Sequence, residues 1–422
     1  MKVAVIGSGI AGLGAAYALA GRHEVTIFEA AAKPGGHVYT VEADGHAIDM
    51  GFIVCNRERY IHFMAMLREL GIETRPTTMA FSVSDGDFEW SSASLSAMFA
   101  DRRRLASPKH WAFLIEVTRL LATFRRDLAE DRGRLAAMSL DEYLKLRGVS
   151  ARVRAHFIIP LAAALWSLAP DLCGEFPALS YLAFLDQHGM LAPFAPFKWD
   201  TIVGGSQRYV DALVALLKAR GVAVRLSTRV RSIDRDAAGI TVNTAFRDRF
   251  DRVIVATHAD TALAILAEPT PAERGALSAI RYSVNRTVLH TDRSFLPARR
   301  AAHASWNYVA DPDTARVSVT YSMTALQGLP DAPYLVTLNP RREPRGILHE
   351  VEFAHPQFDR AALAARDELT ALQGTLHTYY AGAHFGFGFH EDGMRSGRAA
   401  ALRLLADEAP MPVSAALSQA QR

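Results

Sequence analysis

Residues 2–6, Lys-Val-Ala-Val-Ile, form a short apolar run that stops at Gly7. Ile10–Leu19 then reads as a helix of small residues, and Glu24–Phe28 is a second apolar run. This order predicts strand, helix, strand, the opening of a βαβ unit. From about Phe81 to Leu140 the pattern changes: Trp111, Leu114, Ile115, Thr118, Leu121 and Ala122 recur at helical spacing with charges between them, which predicts helices. Residues 155–200 are aromatic and small apolar positions interrupted by Pro160, Pro170, Pro177, Pro193 and Pro196, the pattern of an irregular apolar wall. After Gly204-Gly205-Ser206 the pattern predicts a helix over 208–219 and strands over Val222–Leu226, Val230–Ile233, Ile240–Asn243 and Arg252–Ala256. Alternation at Arg286–Leu289, Val317–Tyr321 and Tyr334–Leu338 predicts a second sheet between about Pro269 and Gln373. A last strand near Leu376–Ala381 precedes a loop and a helix from Met394 to about Leu405. Residues 409–422, rich in alanine, serine and proline, read as a loose tail.

Length and composition narrow the class. At 422 residues the chain exceeds what one core usually holds, and two domains are expected. Half the residues are hydrophobic and 22% are charged, enough for a large core. A formal charge of +3 is too small for a nucleic-acid binder of this size. Cys55 and Cys173, far apart, imply neither a disulfide framework nor a zinc site, which suits a reducing, cytoplasmic setting. The strand opening at Lys2 is expected to have no leader ahead of it. The stretch Phe157–Leu168 contains Pro160 and falls short of the ~20 apolar residues of a spanning helix.

The chemistry starts where the first strand ends. In Gly7-Ser8-Gly9-Ile10-Ala11-Gly12 the glycines permit a tight turn, close approach of a pyrophosphate and close helix packing. The helix N-terminus then offers amides and positive potential to the anion. Glu29, at the end of the second strand, is placed to accept hydrogen bonds from ribose hydroxyls and to repel a 2′-phosphate. Lys33-Pro34-Gly35-Gly36-His37 follows, where adjacent glycines let the backbone pass close to a ligand, and Asp49-Met50-Gly51-Phe52 continues the same wall.

These elements resemble the flavin-containing amine oxidase and phytoene desaturase superfamily, in which the double glycine and the later glycine line FAD. The resemblance continues at Arg229-Val230, similar to the family's adenine-side strand, then at Asp251–His258, Tyr380–His384 and His390–Arg398. It implies an α/β fold: a Rossmann-like, glutathione-reductase-like FAD domain of amine oxidase type, made of 1–80, 200–266 and 374–408, with 81–199 and 267–373 forming an α+β substrate domain. The cofactor set it implies is Gly7, Ser8, Gly9, Ile10, Ala11, Gly12, Glu29, Ala30, Gly35, Gly36, His37, Gly51, Phe52, Ile53, Val230, Gly382, Ala383, Asp392, Gly393 and Met394. Two positions depart from the family. His37 stands where many members have arginine, and Ala383 stands where an acidic residue often follows the Ala-Gly pair. In the family the last helix aims its first amides, here those of Gly393 and Met394, at the flavin ring.

A narrower resemblance rests on Trp199–Ser206, Ser305–Tyr308, Leu335–Pro340 and Phe389–Gly393. These are similar to a bacterial subgroup described as predicted NAD/FAD-binding proteins and linked with enzymes that modify fatty acyl chains. The expected activity is oxidation of a hydrophobic, unsaturated or modified fatty-acyl substrate by hydride transfer to flavin N5. The alternatives are a flavin-dependent double-bond isomerase, an amine oxidase and a lipid-binding flavoprotein without turnover. The apolar wall from Phe157 to Trp199 is either a hydrocarbon lining or plain core. His384, His390 and Glu391 are the candidate proton carriers, or else buried structural groups. Arg102–Arg104, Lys109, His110, Trp111, Arg119, Arg125 and Arg126 accompany an apolar helical stripe. That pattern suits either a solvated face or peripheral contact with anionic lipid.

Overall fold

The run Lys2–Ile6 becomes the central strand of a five-stranded sheet, with Val3, Ala4 and Val5 fully buried, as a parallel strand covered on both faces requires. The structure, a computed structural model, describes residues 1–166, 171–191, 198–310, 318–330 and 333–408. Across the sheet the order is Ala223–Arg225, Glu24–Phe28, Lys2–Ile6, Arg252–Val255 and Thr378–Tyr380, every pair parallel. From the central strand the chain passes through the helix Ile10–Leu19 to Glu24–Phe28 on one side, and it reaches the opposite neighbour only at Arg252. The strand order therefore reverses at the carboxyl end of Lys2–Ile6, where open α/β sheets bind ligands.

The first helix is buried nearly all round because the last helix, His390–Glu408, lies along it. They meet at backbone distance: a Cβ at Gly397 would stand 1.9 Å from the Ala11 carbonyl oxygen, and one at Gly14 would stand 2.8 Å from Met394 Sδ. A small antiparallel sheet, Ser232–Asp236, Gly239–Asn243 and Arg247–Phe250, belongs to the same unit. There a buried Arg235–Glu273 ion pair also accepts the Tyr380 hydroxyl (2.6 Å), which satisfies the carboxylate in the interior.

The chain divides into two compact units. The first comprises Met1–Gly36, Asp211–Ala279 and, of the described residues, 364–408; the second comprises His37–Val210 and Ile280–Leu363. Relative to the domain expected from the sequence, 267–279 and 364–373 cluster with the first unit, while 37–80 and 200–210 cluster with the second. There the hairpin Thr40–Ala43/His46–Asp49 packs on residues such as Met323, Leu326 and Val336, and Cys55–Asn56 and Thr74–Thr77 flank Trp199–Ile202. The second unit is built on a seven-stranded sheet in the order Ile347–Pro356, Tyr282–His290, Leu335–Leu338, Val319–Ser322, Trp306–Val309, Phe81–Ser84 and Glu89–Ser91. The Trp306–Val309/Phe81–Ser84 pair is parallel, its neighbours antiparallel.

Several sequence expectations are corrected. Phe81–Ser84 and Glu89–Ser91 are strands, not helix, because Phe81 and Val83 pair with Trp306 and Tyr308 far along the chain, and Trp90 pairs with Val83 in the hairpin that this strand extends. The predicted irregular wall contains the helices Ile159–Trp166 and Ala178–Gln187, whose Trp166 and Phe184 rings lie 4.9 Å apart between centroids; Phe176, ahead of the second helix, lies 4.4 Å from Trp166. Phe157, Leu161, Trp166, Phe176, Leu182 and Phe184 of this stretch are buried. Pro170, Pro193, Pro196, Val317 and the 409–422 tail lie outside the described residues. The strand placed at Val230–Ile233 starts instead at Ser232, and the last helix starts at His390, four residues before Met394.

Candidate cofactor site

In the first unit the turn after Lys2–Ile6 is shaped by backbone contact. Gly7 has φ +100°, and a Cβ there would lie 2.8 Å from the Ala256 carbonyl oxygen; a Cβ at Gly12 would lie 1.9 Å from the Gly7 oxygen. Glu29 draws the turn toward the second strand: its Oε2 accepts the Ser8 amide (2.9 Å) and hydroxyl (2.6 Å), and its Oε1 accepts the Ala31 amide (2.8 Å). A carboxylate has about four acceptor sites, so Glu29 keeps capacity for a further donor. Ala30 is exposed beside it. The Gly35 amide donates to the Ser8 carbonyl (3.0 Å), and a Cβ at Gly36 would stand 3.0 Å from Gly9 Cα, so the second glycine pair lies directly on the first turn.

The residues of this turn fit a dinucleotide diphosphate. Gly9 caps the helix Ile10–Leu19 without a side-chain hydrogen bond, and no acidic residue stands in the helix's first turn. The amides of Ile10, Ala11 and Gly12 have no carbonyl one turn back within the helix. A Cβ at Gly9 would meet nothing within 4 Å, unlike those at Gly7 and Gly12. The backbone at Gly9, with φ −67°, would itself accept a side chain. Neither packing nor conformation explains this glycine; a ligand approaching the backbone would. On the far side of Glu29 the chain returns, with the Ser227 and Thr228 amides donating to the Ala31 and Glu29 carbonyls (2.9 and 2.7 Å), and Val230 follows, buried.

The last helix departs from the expectation. Because it starts at His390, the Gly393 amide donates to the Phe389 carbonyl (3.1 Å), and the first-turn amides belong to His390, Glu391 and Asp392. Asp392 is a brace: its Oδ2 accepts the Phe387 and Phe389 amides (2.9 and 3.1 Å), its Oδ1 accepts Arg395 (2.7 Å), and burial raises its pKa. Gly393 and Met394 pack toward the first helix at Ile10 and Gly14. The Gly382 amide donates to Ser396 Oγ (3.0 Å), and Ala383 Cβ lies 3.9 Å from where a Cβ of Gly393 would stand.

The three candidate proton carriers also lie in the first unit, all buried. Burial, with the neighbouring His258, pushes the His384 imidazole down to about 3, so it is neutral near pH 7 and poorly suited to hold a proton. His390 and Glu391 open the last helix. Both cysteines are buried free thiols, and burial pushes them up to about 12, far from a reactive thiolate.

The second unit carries His37, Gly51, Phe52 and Ile53. His37 occupies the family's arginine position with a packing role: its Nε2 lies 3.0 Å from the Ala354 carbonyl and its ring stacks on Phe353. The Phe52 amide donates to the His37 carbonyl (2.9 Å), and a Cβ at Gly51 would lie 2.0 Å from that same oxygen, so Gly51 permits the close pass. Sequence reasoning missed the polar cluster behind this wall. Asp49, fully buried, accepts from the Ser206 amide and hydroxyl (each 2.9 Å at its shortest), Thr40 Oγ1 (2.5 Å) and Gln327 Nε2 (3.2 Å). Burial lifts its carboxyl to about 6. The glycine pair ahead of Ser206 marked a turn, but nothing in the sequence pairs that turn with Asp49.

Comparison with known proteins gives three findings. Residues 10–339 match the family described as flavin containing amine oxidoreductase. Among curated proteins, one from Mycobacterium tuberculosis named as a flavin-containing monoamine oxidase is 31% identical over 261 residues, 57% of this chain and 53% of that protein. A 4,4'-diapophytoene desaturase of Staphylococcus aureus is 50% identical over 52 residues, 12% of this chain and 10% of that one. The chain thus spans about half the length of the first of these relatives and a tenth of the second. Among solved structures, a CLA-producing fatty acid isomerase from P. acnes superposes with a TM-score of 0.70 at 19% identity, covering 95% of this chain and 98% of that one.

Proposed function

Because the chain belongs to the flavin-containing amine oxidoreductase family, we propose that it holds FAD at the Gly7–Gly12 turn and acts on a hydrophobic fatty-acyl substrate as an oxidoreductase. The observation that carries the cofactor reading is the uncapped helix start behind Gly9, at the point where the sheet order reverses. In this reading the amides of Ile10, Ala11 and Gly12 hold the diphosphate, and Glu29 accepts a ribose hydroxyl with its remaining acceptor site. Val230 borders the adenine side. The assignment of His37, Gly51, Phe52 and Ile53 to the cofactor rests on the family resemblance. Bound FAD supplies a hydride acceptor at N5.

Among the buried candidates the proton falls to His390 or Glu391, because the imidazole of His384 is too acidic to keep one near neutral pH. His384 acts in this reading as a neutral hydrogen-bonding group. A hydrophobic substrate is supported by the names of the fatty acid isomerase and the diapophytoene desaturase, and its acyl character by the isomerase alone. A second reading, double-bond isomerisation without net redox change, is favoured by the isomerase match along nearly the whole chain. Amine oxidation is the reading that the mycobacterial relative's name favours.

Anaerobic mixing with unsaturated fatty acids and, separately, with primary amines separates these outcomes. Lasting loss of flavin absorbance with an acyl product two hydrogens lighter supports oxidation. An isomeric product of unchanged mass supports the second reading. Bleaching by amines alone overturns the acyl assignment. Replacement of His390 by Ala or of Glu391 by Gln is expected to lower kcat by about 10²-fold or more if that residue moves the proton. Unchanged turnover at full FAD content removes it from that role.

A further inference from the structure

The most uneven part of the surface lies in the second unit, away from any residue assigned above. Residues 95–126 hold seven Lys and Arg against two Asp and Glu, a net +5, while the whole chain carries +3. The two acids face inward: Asp101 is 9% exposed and bonded to Arg103, and Glu116 accepts the Ser150 amide (2.7 Å). The cations Arg102, Arg103, Lys109 and Arg119 are exposed.

Interleaved with them are large apolar side chains that the fold leaves uncovered. Leu95 is 69% exposed, Leu105 51%, and Trp111 and Ile115 47% each. They form one surface, because the pieces are tied together. Trp111 and Ile115 are one turn apart on the helix Pro108–Glu130, and the Trp111 indole N–H donates to the Leu105 carbonyl (2.9 Å). Arg102 donates to Ser96 Oγ (2.8 Å), and Phe99 lies 4.8 Å from Trp111 between ring centroids. The indole's polar atom is satisfied within the protein, so the part of the ring left outside is apolar. Just inside, the guanidinium groups of Arg104 and Arg152 each lie 4.8 Å from the Phe88 ring centroid. The buried Nε of both have no hydrogen-bond partner, and the two guanidinium charges add positive potential from beneath.

We propose that the face formed by residues 95–119 docks the protein on an anionic lipid surface. Cations at the level of the headgroups and Leu105, Trp111 and Ile115 at the acyl boundary match the two halves of such an interface. A nucleic acid would satisfy the cations but gives the aliphatic side chains nothing to enter. Docking is peripheral: no helix among the described residues is long and apolar enough to cross a membrane. The inference stands on this surface alone and is read without flavin or turnover.

The test is co-sedimentation of the full chain with vesicles of phosphatidylglycerol and phosphatidylcholine, beside vesicles of phosphatidylcholine only, at low salt and at about 1 M, where the screening length is about 3 Å. Binding to the anionic vesicles alone, weakened by salt, with a blue shift in tryptophan emission that Trp111→Ala abolishes, is the expected result. Arg102→Glu/Arg119→Glu weakens partitioning by ~10-fold or more, and Ile115→Gln by several-fold, with wild-type thermal midpoints. No sedimentation at low salt, equal binding to neutral vesicles, or binding to single-stranded RNA without vesicle binding overturns the proposal.

Discussion

The two units position their motifs by opposite means. In the first, the turn at Gly7–Gly12 and the crossing of the first and last helices are made by backbone meeting backbone, and the residues that matter lack a side chain. In the second, the wall at Asp49–Ile53 is braced by buried polar side chains: Asp49 is joined to Ser206 and Gln327, 157 and 278 positions away. At Gly7, Gly12, Gly14 and Gly397 the first arrangement has no room for an added atom. The second tolerates no lost acceptor, and it responds to pH.

The largest effects should come from adding a methyl group in the first unit. Gly12→Ala places a Cβ 1.9 Å from the Gly7 carbonyl oxygen of the turn, and Gly397→Ala places one 1.9 Å from the Ala11 carbonyl oxygen of the facing helix, so the turn or the helix crossing must open, at a cost of about 4 kcal/mol or more. Chemical denaturation should show either variant unfolding far earlier than wild type or failing to purify folded. Near-wild-type midpoints would show that the turn or the crossing adapts. Next comes Asp49→Ala, which leaves the Ser206, Thr40 and Gln327 donors buried without their acceptor; a loss of about 3 to 4 kcal/mol is expected by the same measurement.

The pH dependence of Asp49 is somewhat smaller and has a definite sign. With its carboxyl at about 6 in the folded protein and 3.8 ordinarily, the folded state retains a proton that the unfolded chain has released. The stability Asp49 contributes is therefore fully present below about pH 4 and lost as pH rises through about 6, an interval worth about 3 kcal/mol. Unfolding free energies of wild type minus Asp49→Asn, followed from pH 4 to 7, should fall across that window. A flat difference would mean the carboxyl ionises without penalty. The smallest effect is Ser8→Ala: the Ser8 amide still reaches Glu29, so losing the hydroxyl should cost about 1 kcal/mol and several-fold in FAD affinity, read by titration.

The same contrast explains what the sequence made legible. The strand Lys2–Ile6, the helix Ile10–Leu19 and the strand Glu24–Phe28 stand as the sequence predicts, because each is a continuous apolar run bounded by glycine or polar residues. The glycine turn with Glu29 was readable because its motif is local: the Glu29 carboxylate binds Ser8 and Ala31, and the Gly35 amide binds the Ser8 carbonyl. Phe81–Ser84 was misread as helical because its strand character comes from Trp306–Val309, which a local window does not contain. The last helix begins at His390, four residues before the expected start, and Asp392 in its first turn secures the 387–389 loop that leads into it. The Asp49 cluster was illegible because hydrogen bonds between distant polar residues leave no periodic trace.

The central claim is that the space above Gly9 belongs to the diphosphate of FAD. Titration of FAD into purified apoprotein, wild type beside Gly9→Ala, tests it most directly, with denaturation of both apoproteins as control. The account predicts one FAD per wild-type chain. It also predicts at least ~10-fold weaker binding in Gly9→Ala at an unchanged unfolding midpoint, because the added methyl meets no protein atom. Wild-type protein that takes up no FAD, or Gly9→Ala that binds it as tightly, would contradict the account.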